Sequence, residues 1–127
     1  MRYLLDTHAV IWYYENSAEL SRTAEKLIDN AANIKYIHSV SLWEIAIKMN
    51  LGKLKVNFTL DELLNDIKTR DFNVLQIEDE YLQKLADLPF IHKDPFDRLI
   101  IATAVAEDLT IVTIDENIQK YDVDWIW

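Results

Sequence analysis

Asp94-Pro95-Phe96-Asp97-Arg98-Leu99-Ile100-Ile101-Ala102-Thr103-Ala104-Val105-Ala106, followed after a short break by Thr110-Ile111-Val112-Thr113-Ile114-Asp115, is the stretch whose reading decides the fold. An Asp before a Pro reads as a helix cap with proline at the first helical position. The helix that follows is apolar nearly all round, through Leu99, Ile100, Ile101, Ala102, Ala104 and Val105. It is therefore expected to be covered on more than one side and to be the central helix of the packing. The run from Thr110 to Ile114 then has the length and the β-branched content of a strand.

Working outward, the same alternation recurs along the chain. Tyr3–Leu5, Tyr36–Val40 and Asn73–Ile77 read as short strands, and Trp125–Trp127 as a fifth. Between them, Ala24, Leu27, Ile28 and Ala31 form a helical stripe, as do Leu42, Ile45, Ala46 and Met49, and then Leu60, Leu63, Leu64 and Ile67. Strands alternating with helices predict an α/β fold with a parallel sheet layered by helices, because parallel neighbours need a crossover and the crossover is helical. No repeat, low-complexity tract or linker divides residues 1–127, so one domain is expected.

Composition excludes several chemistries. The chain has no cysteine, which removes disulfides, zinc–thiolate sites and cysteine nucleophiles. Gly52 is the single glycine, so there is no Gly-rich phosphate cradle. The longest nearly apolar stretch, Leu99 to Ala106, is far short of the roughly 18 residues of a membrane span, and no basic region precedes an apolar one at the N-terminus. A soluble protein of the cytoplasm, with no membrane partner, is the expectation. The formal charge is −9, yet Lys48, Lys53 and Lys55 make the segment from Ile45 to Leu60 locally basic, with no acid among them.

In a parallel sheet, ligands bind beyond the carboxyl ends of the strands. Asp6 directly follows the first strand, Glu44 lies four residues past the second in the first turn of its helix, and Asp115 directly follows Ile114. Asp94 and Asp97 open the apolar helix and fall on the same edge if that helix is a crossover leading into Thr110–Ile114. Carboxylates gathered at one edge repel one another unless a cation lies between them. Oxygen-only donors favour Mg²⁺ or Mn²⁺, and such a site suits phosphodiester hydrolysis.

Each acid also has a structural reading. Ser41-Leu42-Trp43-Glu44 has the form of a capping box, and Glu44 is spaced to pair with Lys48. Asp94 reads as a cap, Asp97 as a favourable charge in the first helical turn, and Asp115 as the start of a turn with Glu116 and Asn117. Asp6 alone has no cap or basic neighbour that needs it. His8 reads as a partly buried, satisfied side chain; His38 falls in a strand and His92 in a loop, neither proposed as catalytic. Trp12, Trp43 and Trp125 read as core or interface.

Leu4-Leu5-Asp6-Thr7-His8, Ser39-Val40-Ser41-Leu42-Trp43-Glu44-Ile45-Ala46-Ile47-Lys48, His92-Lys93-Asp94-Pro95-Phe96-Asp97-Arg98-Leu99-Ile100-Ile101-Ala102 and Ile111-Val112-Thr113-Ile114-Asp115 together resemble the four motifs of PIN-domain ribonucleases, and specifically VapC-type toxins of toxin–antitoxin pairs. The resemblance runs in the family's order from residue 4 to the end. It implies a three-layer α/β/α fold with a mostly parallel five-stranded sheet, an Mg²⁺- or Mn²⁺-dependent endoribonuclease leaving a 5′-phosphate and a 3′-hydroxyl, a cognate antitoxin and a homodimer. Matched residue by residue, Asp6, Glu44, Asp97 and Asp115 are the family's catalytic, metal-holding acids. Thr113 and Asp94 are supporting residues, and Lys48, Lys53, Lys55 and Arg98 are candidates for RNA phosphate contacts. The chain departs from many relatives after Asp115, where Glu116-Asn117-Ile118 replaces an Arg- and Phe-containing sequence. Two other readings belong to different classes: a phospho-accepting receiver-like signalling domain with an acidic Mg²⁺ pocket, and a catalytically silent PIN-like protein-binding module.

Overall fold

The structure, a computed structural model, describes residues 1–127. In chain order the elements are β1 (Arg2–Leu5), α1 (Thr7–Glu15), α2 (Arg22–Asp29), β2 (Ile34–His38), α3 (Ser39–Asn50), α4 (Leu60–Thr69), β3 (Phe72–Leu75), α5 (Asp79–Asp87), α6 (Pro95–Glu107), β4 (Thr110–Val112), α7 (Glu116–Gln119) and β5 (Trp125–Ile126). The five strands pair in the order β3-β2-β1-β4-β5, and every neighbouring pair is parallel. The sheet is thus wholly parallel, as the alternation of strands and helices predicts, where the resemblance implied a mostly parallel one. It has its topological switch beside β1, which pairs with β2 on one side and β4 on the other.

Alternation along the strands divides the core into two layers. Tyr3, Leu5, Ile37 and Val112 pack with Ala9, Val10 and Ile11 of α1, Leu27 and Ile28 of α2, and Leu63 and Ile67 of α4. Leu4 and Ile111, one residue out of phase, pack on the other face with Tyr81 of α5, Ile100, Ile101 and Ala104 of α6, and Ile118 of α7. The result is the expected three-layer α/β/α arrangement. Helix α3 contributes Val40 to one layer and Ile45 to the other, so it bridges them.

Several local expectations are corrected. Val40 belongs to α3, not to a strand, because β2 passes into α3 without a loop: His38 ends the strand and caps the helix, its Nδ1 accepting the Val40 N–H at 3.1 Å. Ser41 is consequently inside α3 and caps nothing; its buried hydroxyl accepts a hydrogen bond from Thr7 Oγ1 at 3.0 Å. The capping box is elsewhere, at Thr59 and Glu62 of α4. Glu44 is in the second turn of α3, not the first. Helix α6 is enclosed from Leu99 to Ala104, but Val105 is 41% exposed, so the covering stops one turn short of the helix end. The β3 strand ends at Leu75, and Ile77 is exposed.

Candidate metal centre

Every acid singled out above stands where a helix begins at, or crosses, the carboxyl edge of the sheet. Asp6 leaves β1 and caps α1, its Oδ1 accepting the Ala9 N–H at 2.8 Å. Sequence gave it no such duty, because Thr7-His8-Ala9-Val10-Ile11-Trp12-Tyr13-Tyr14 carries no single apolar stripe that marks a helix. Asp6 Oδ2 accepts a hydrogen bond from the buried Thr113 hydroxyl. The same hydroxyl oxygen accepts the Asp115 N–H at 3.0 Å, so Thr113 ties the exits of β1 and β4 together across the switch point. Asp115 caps α7, with Oδ1 accepting from Asn117 N–H at 2.8 Å and Ile118 N–H at 3.1 Å.

Glu44 comes from α3 and is buried, with Oε2 held at 2.9 Å by Lys48 Nζ. Its Oε1 is buried with no hydrogen-bond partner. On α6, Asp94 is the cap, its Oδ1 accepting the N–H groups of Phe96 and Asp97 at 2.9 and 3.1 Å. Asp97, one turn along, is held instead by His92, whose Nε2 lies 3.2 Å from Asp97 Oδ2. That contact escaped the sequence reading, since His92 is in a loop five residues away with no periodic spacing to give it a partner.

The electrostatics place these groups in one another's field. Burial pushes the Asp6 carboxyl up to about 6; bonds from Thr113 and Ala9 work against the rise, and the charges of Asp115 and Glu44 add to it. Asp97 is likewise raised to about 6, first by burial and then by Asp94, with Asp115 and Asp6 adding to the rise and His92 opposing it. The structure therefore brings Asp6, Glu44, Asp97 and Asp115 to one edge of the sheet, near enough to repel. A divalent cation answers both this repulsion and the unpartnered Glu44 Oε1. No three Asp, Glu or His side chains are grouped closely enough to hold an ion between them unaided. A hard ion that retains several waters suits such a spacing.

The lysines lie beside this edge. Lys48, Lys53 and Lys55 line a groove of about 470 Å³ with His8, Ile11, Trp12, Glu15 and Leu54. Gly52, at φ +68°, makes the left-handed turn after α3 that folds Lys53 N–H back onto Lys48 O at 2.9 Å. His8 and Trp12 also line a smaller cleft of about 180 Å³ with Asp6, Ile114 and Asp115, so the basic groove and the acidic edge share a wall. His8 is exposed there, not a satisfied interior histidine. Arg98 is not among these bases: its Nη1 donates to Pro89 O at 3.1 Å and Tyr121 Oη at 3.0 Å, and its guanidinium stacks 4.9 Å from the Phe90 ring. Trp43 is 61% exposed and meets the Phe96 ring edge-on at 5.4 Å, so it is not a core residue. No helix is long and apolar enough to cross a membrane.

Comparison with known families finds that the model of the PIN domain matches residues 3–124. Among solved structures, VapBC2 from Rickettsia felis bound to a DNA fragment from its promoter is similar at a TM-score of 0.76 and 17% identity, over 100% of this chain and 99% of that one. FitAcB from Neisseria gonorrhoeae is similar at a TM-score of 0.69 and 18% identity, over 98% of this chain and 96% of that one. A toxin–antitoxin complex from Klebsiella pneumoniae gives a TM-score of 0.68 at 17% identity, over 98% and 95% of the two chains. No curated protein sequence matches the chain.

Proposed function

The chain belongs to the PIN-domain family, and from that premise we propose that residues 1–127 form one Mg²⁺- or Mn²⁺-dependent endoribonuclease domain, the toxin of a toxin–antitoxin pair. The feature that supports this reading is the position of Asp6, Glu44, Asp97 and Asp115 around the switch point of a parallel sheet, where Thr113 links Asp6 to the Asp115 backbone and Glu44 Oε1 is buried without a partner.

In this reading Asp6, Glu44, Asp97 and Asp115 hold one or two ions. Such an ion would supply the activation of a water for attack on an RNA phosphodiester and would offset the charge developing on the phosphate and the leaving 3′-oxygen. Thr113 fixes Asp6 Oδ2 and the Asp115 backbone relative to each other. Asp94 holds the first turn of α6, and Lys48 fixes one oxygen of Glu44 while leaving the other open. Lys53 and Lys55, both exposed in the groove that adjoins the cleft, engage backbone phosphates leading to the acids. Arg98 is not proposed for that role, because it does not line the groove and its Nη1 is bonded to Pro89 O and Tyr121 Oη.

The receiver-like reading is disfavoured by one feature. No lysine ends a strand at the carboxyl edge; Lys35 is near the start of β2 and bonds Asn30 O at 3.2 Å. The test is cleavage of single-stranded or loop RNA by purified protein with Mg²⁺ or Mn²⁺. Cleavage that persists in excess EDTA, or in Asp6→Asn, overturns the reading. The silent-module alternative predicts no cleavage with any divalent ion.

The partners follow from the same premise and from surface chemistry. One of the similar structures is a toxin–antitoxin complex, and a net charge of −9 favours an antitoxin with a basic segment. Self-association as a homodimer through exposed apolar helix surface completes the proposal, with the cytoplasm as the compartment. A strictly monomeric protein at micromolar concentration, with no partner co-purifying from its native operon, argues against both associations.

A further inference from the structure

Tyr121 follows α7, yet its hydroxyl reaches back to the loop before α6. Its Oη lies 3.2 Å from the His92 backbone N–H and 3.0 Å from Arg98 Nη1, both of which have only hydrogens to give. Those two donors fill the lone pairs of the phenol oxygen. The Tyr121 O–H must then point at an acceptor, and two lie within range: His92 Nδ1 at 2.8 Å and His92 O at 3.5 Å. The nearer is by far the better bond. It leaves Nδ1 as the bare nitrogen and puts the ring proton on Nε2, which is 3.2 Å from Asp97 Oδ2.

We propose that His92 is a positioning residue for Asp97: Tyr121 fixes its imidazole as the Nε2–H tautomer, and that N–H holds Oδ2 so that Oδ1, which accepts no protein hydrogen bond, is the oxygen left for an ion. The role as metal ligand rests on the reading of the site given above; the tautomer does not. Because Nε2 already carries a proton, His92 is excluded as a ligand despite standing beside a carboxylate at the site. The side chains are mostly enclosed, His92 at 12% and Asp97 at 17% exposure, so water competes weakly for these bonds. The arrangement also couples two elements. Helix α7 is capped by Asp115 and leads to Tyr121, which orients His92 and through it Asp97, so the exit of β4 and the start of α6 are held in mutual register.

The experiment uses the full chain. Two-bond nitrogen–proton NMR of the metal-free protein reads each imidazole nitrogen of His92 directly, and a protonated Nε2 with a bare Nδ1 is expected. Tyr121→Phe removes the fixing hydroxyl and should shift the ring toward a mixture of tautomers. Calorimetric titration with Mn²⁺ alone should show His92→Ala binding roughly 10- to 100-fold more weakly, the range for residues that orient a ligand. His92→Gln, whose amide N–H stands in for Nε2–H, should recover most of that loss. A bare Nε2 in the native protein overturns the proposal, as does undiminished Mn²⁺ affinity in His92→Ala or equal losses in His92→Ala and His92→Gln. If the native protein takes up no Mn²⁺, the metal reading of the site fails, and the nitrogen shifts still decide whether His92 is the donor to Asp97.

Discussion

Replacing Asp6 by Asn should make the metal-free protein more stable at neutral pH and should not do so in acid. The Asp6 carboxyl is raised from 3.8 to about 6, chiefly by burial. A carboxyl raised on folding binds more protons folded than unfolded, so its contribution is fully present below the unfolded value and is lost as pH rises through about 6. Two units correspond to about 3 kcal/mol. Asn keeps the cap on α1, since it accepts the Ala9 N–H about as well as Asp. It replaces the acceptor facing the Thr113 hydroxyl with an amide donor, at a cost of about 1 kcal/mol. The net gain at pH 7.5 is then about 2 kcal/mol, or roughly 8 °C in melting temperature for a chain this long. At pH 4 the native carboxyl is neutral when folded, and the variant should be equal or slightly weaker. Urea unfolding of both proteins in EDTA, from pH 4 to 8, measures the difference. Two stability curves separated by a constant offset across that range would refute the claim that the ionised carboxylate is penalised by its surroundings.

The metal should reverse this order. Mn²⁺ at 100 times its dissociation constant is expected to stabilise the native protein by about 2.7 kcal/mol, seen as a rise in melting temperature that Asp6→Asn lacks. Asp97→Asn should lose RNA cleavage to background while melting no lower than the native protein in EDTA, since the Asp97 carboxyl is also raised to about 6 by burial, whereas Asp94→Asn, which preserves the cap on α6, should lose no more than roughly 10- to 100-fold; the reverse order in a cleavage assay assigns the ligand to the other acid. Exchanging both Lys53 and Lys55 for Glu should weaken RNA binding across sequences and lower the slope of log affinity against log salt by about 2. An unchanged slope removes the groove beside His8 and Trp12 from the RNA path.

The fold was legible wherever one periodicity dominated. The stripes of α2, α3 and α4 and the enclosed run of α6 each announced a helix, because each buries a defined face. Helix α1 gave no such signal: Thr7, Ala9, Val10 and Ile11 are buried almost consecutively, and the aromatics Trp12, Tyr13 and Tyr14 follow without a break, so the segment does not read as a helical stripe. The short α5 buries Tyr81 alone and offers one anchor where a stripe needs three. The end of β2 was misread for a different reason. A histidine side chain serves as the cap, so no Ser, Thr, Asp or Asn stands at the cap position, and Ser41, three residues before Glu44, imitates a capping box two residues inside the helix.

The acids are legible by position relative to strand ends, but for all of them except Asp6 a structural duty competes with the ligand role. The geometry removes that rivalry, because a carboxylate has two oxygens and a cap uses one. Asp6 caps through Oδ1 and meets Thr113 through Oδ2; Asp115 caps through Oδ1 and its Oδ2 has no protein partner. Helix N-termini that open at the carboxyl edge carry partial positive charge, which eases the repulsion among the acids they display. A parallel sheet therefore collects capping Asp residues at the edge where an ion can be shared, and in Asp115 the cap fixes one oxygen while the second has no protein partner. Glu44 and Asp97 are the exceptions that support this account. Neither caps a helix, and each has one oxygen held by a side chain instead, Glu44 by Lys48 and Asp97 by His92. Each of the four has at least one immobilised oxygen, and Asp6 has both. Sequence displays the partner of Glu44 through its i, i+4 spacing and that of Asp115 through a turn signal, and hides it for Asp6, whose helix carries no stripe, and for Asp97, whose partner is a loop histidine oriented by a tyrosine from a distant turn.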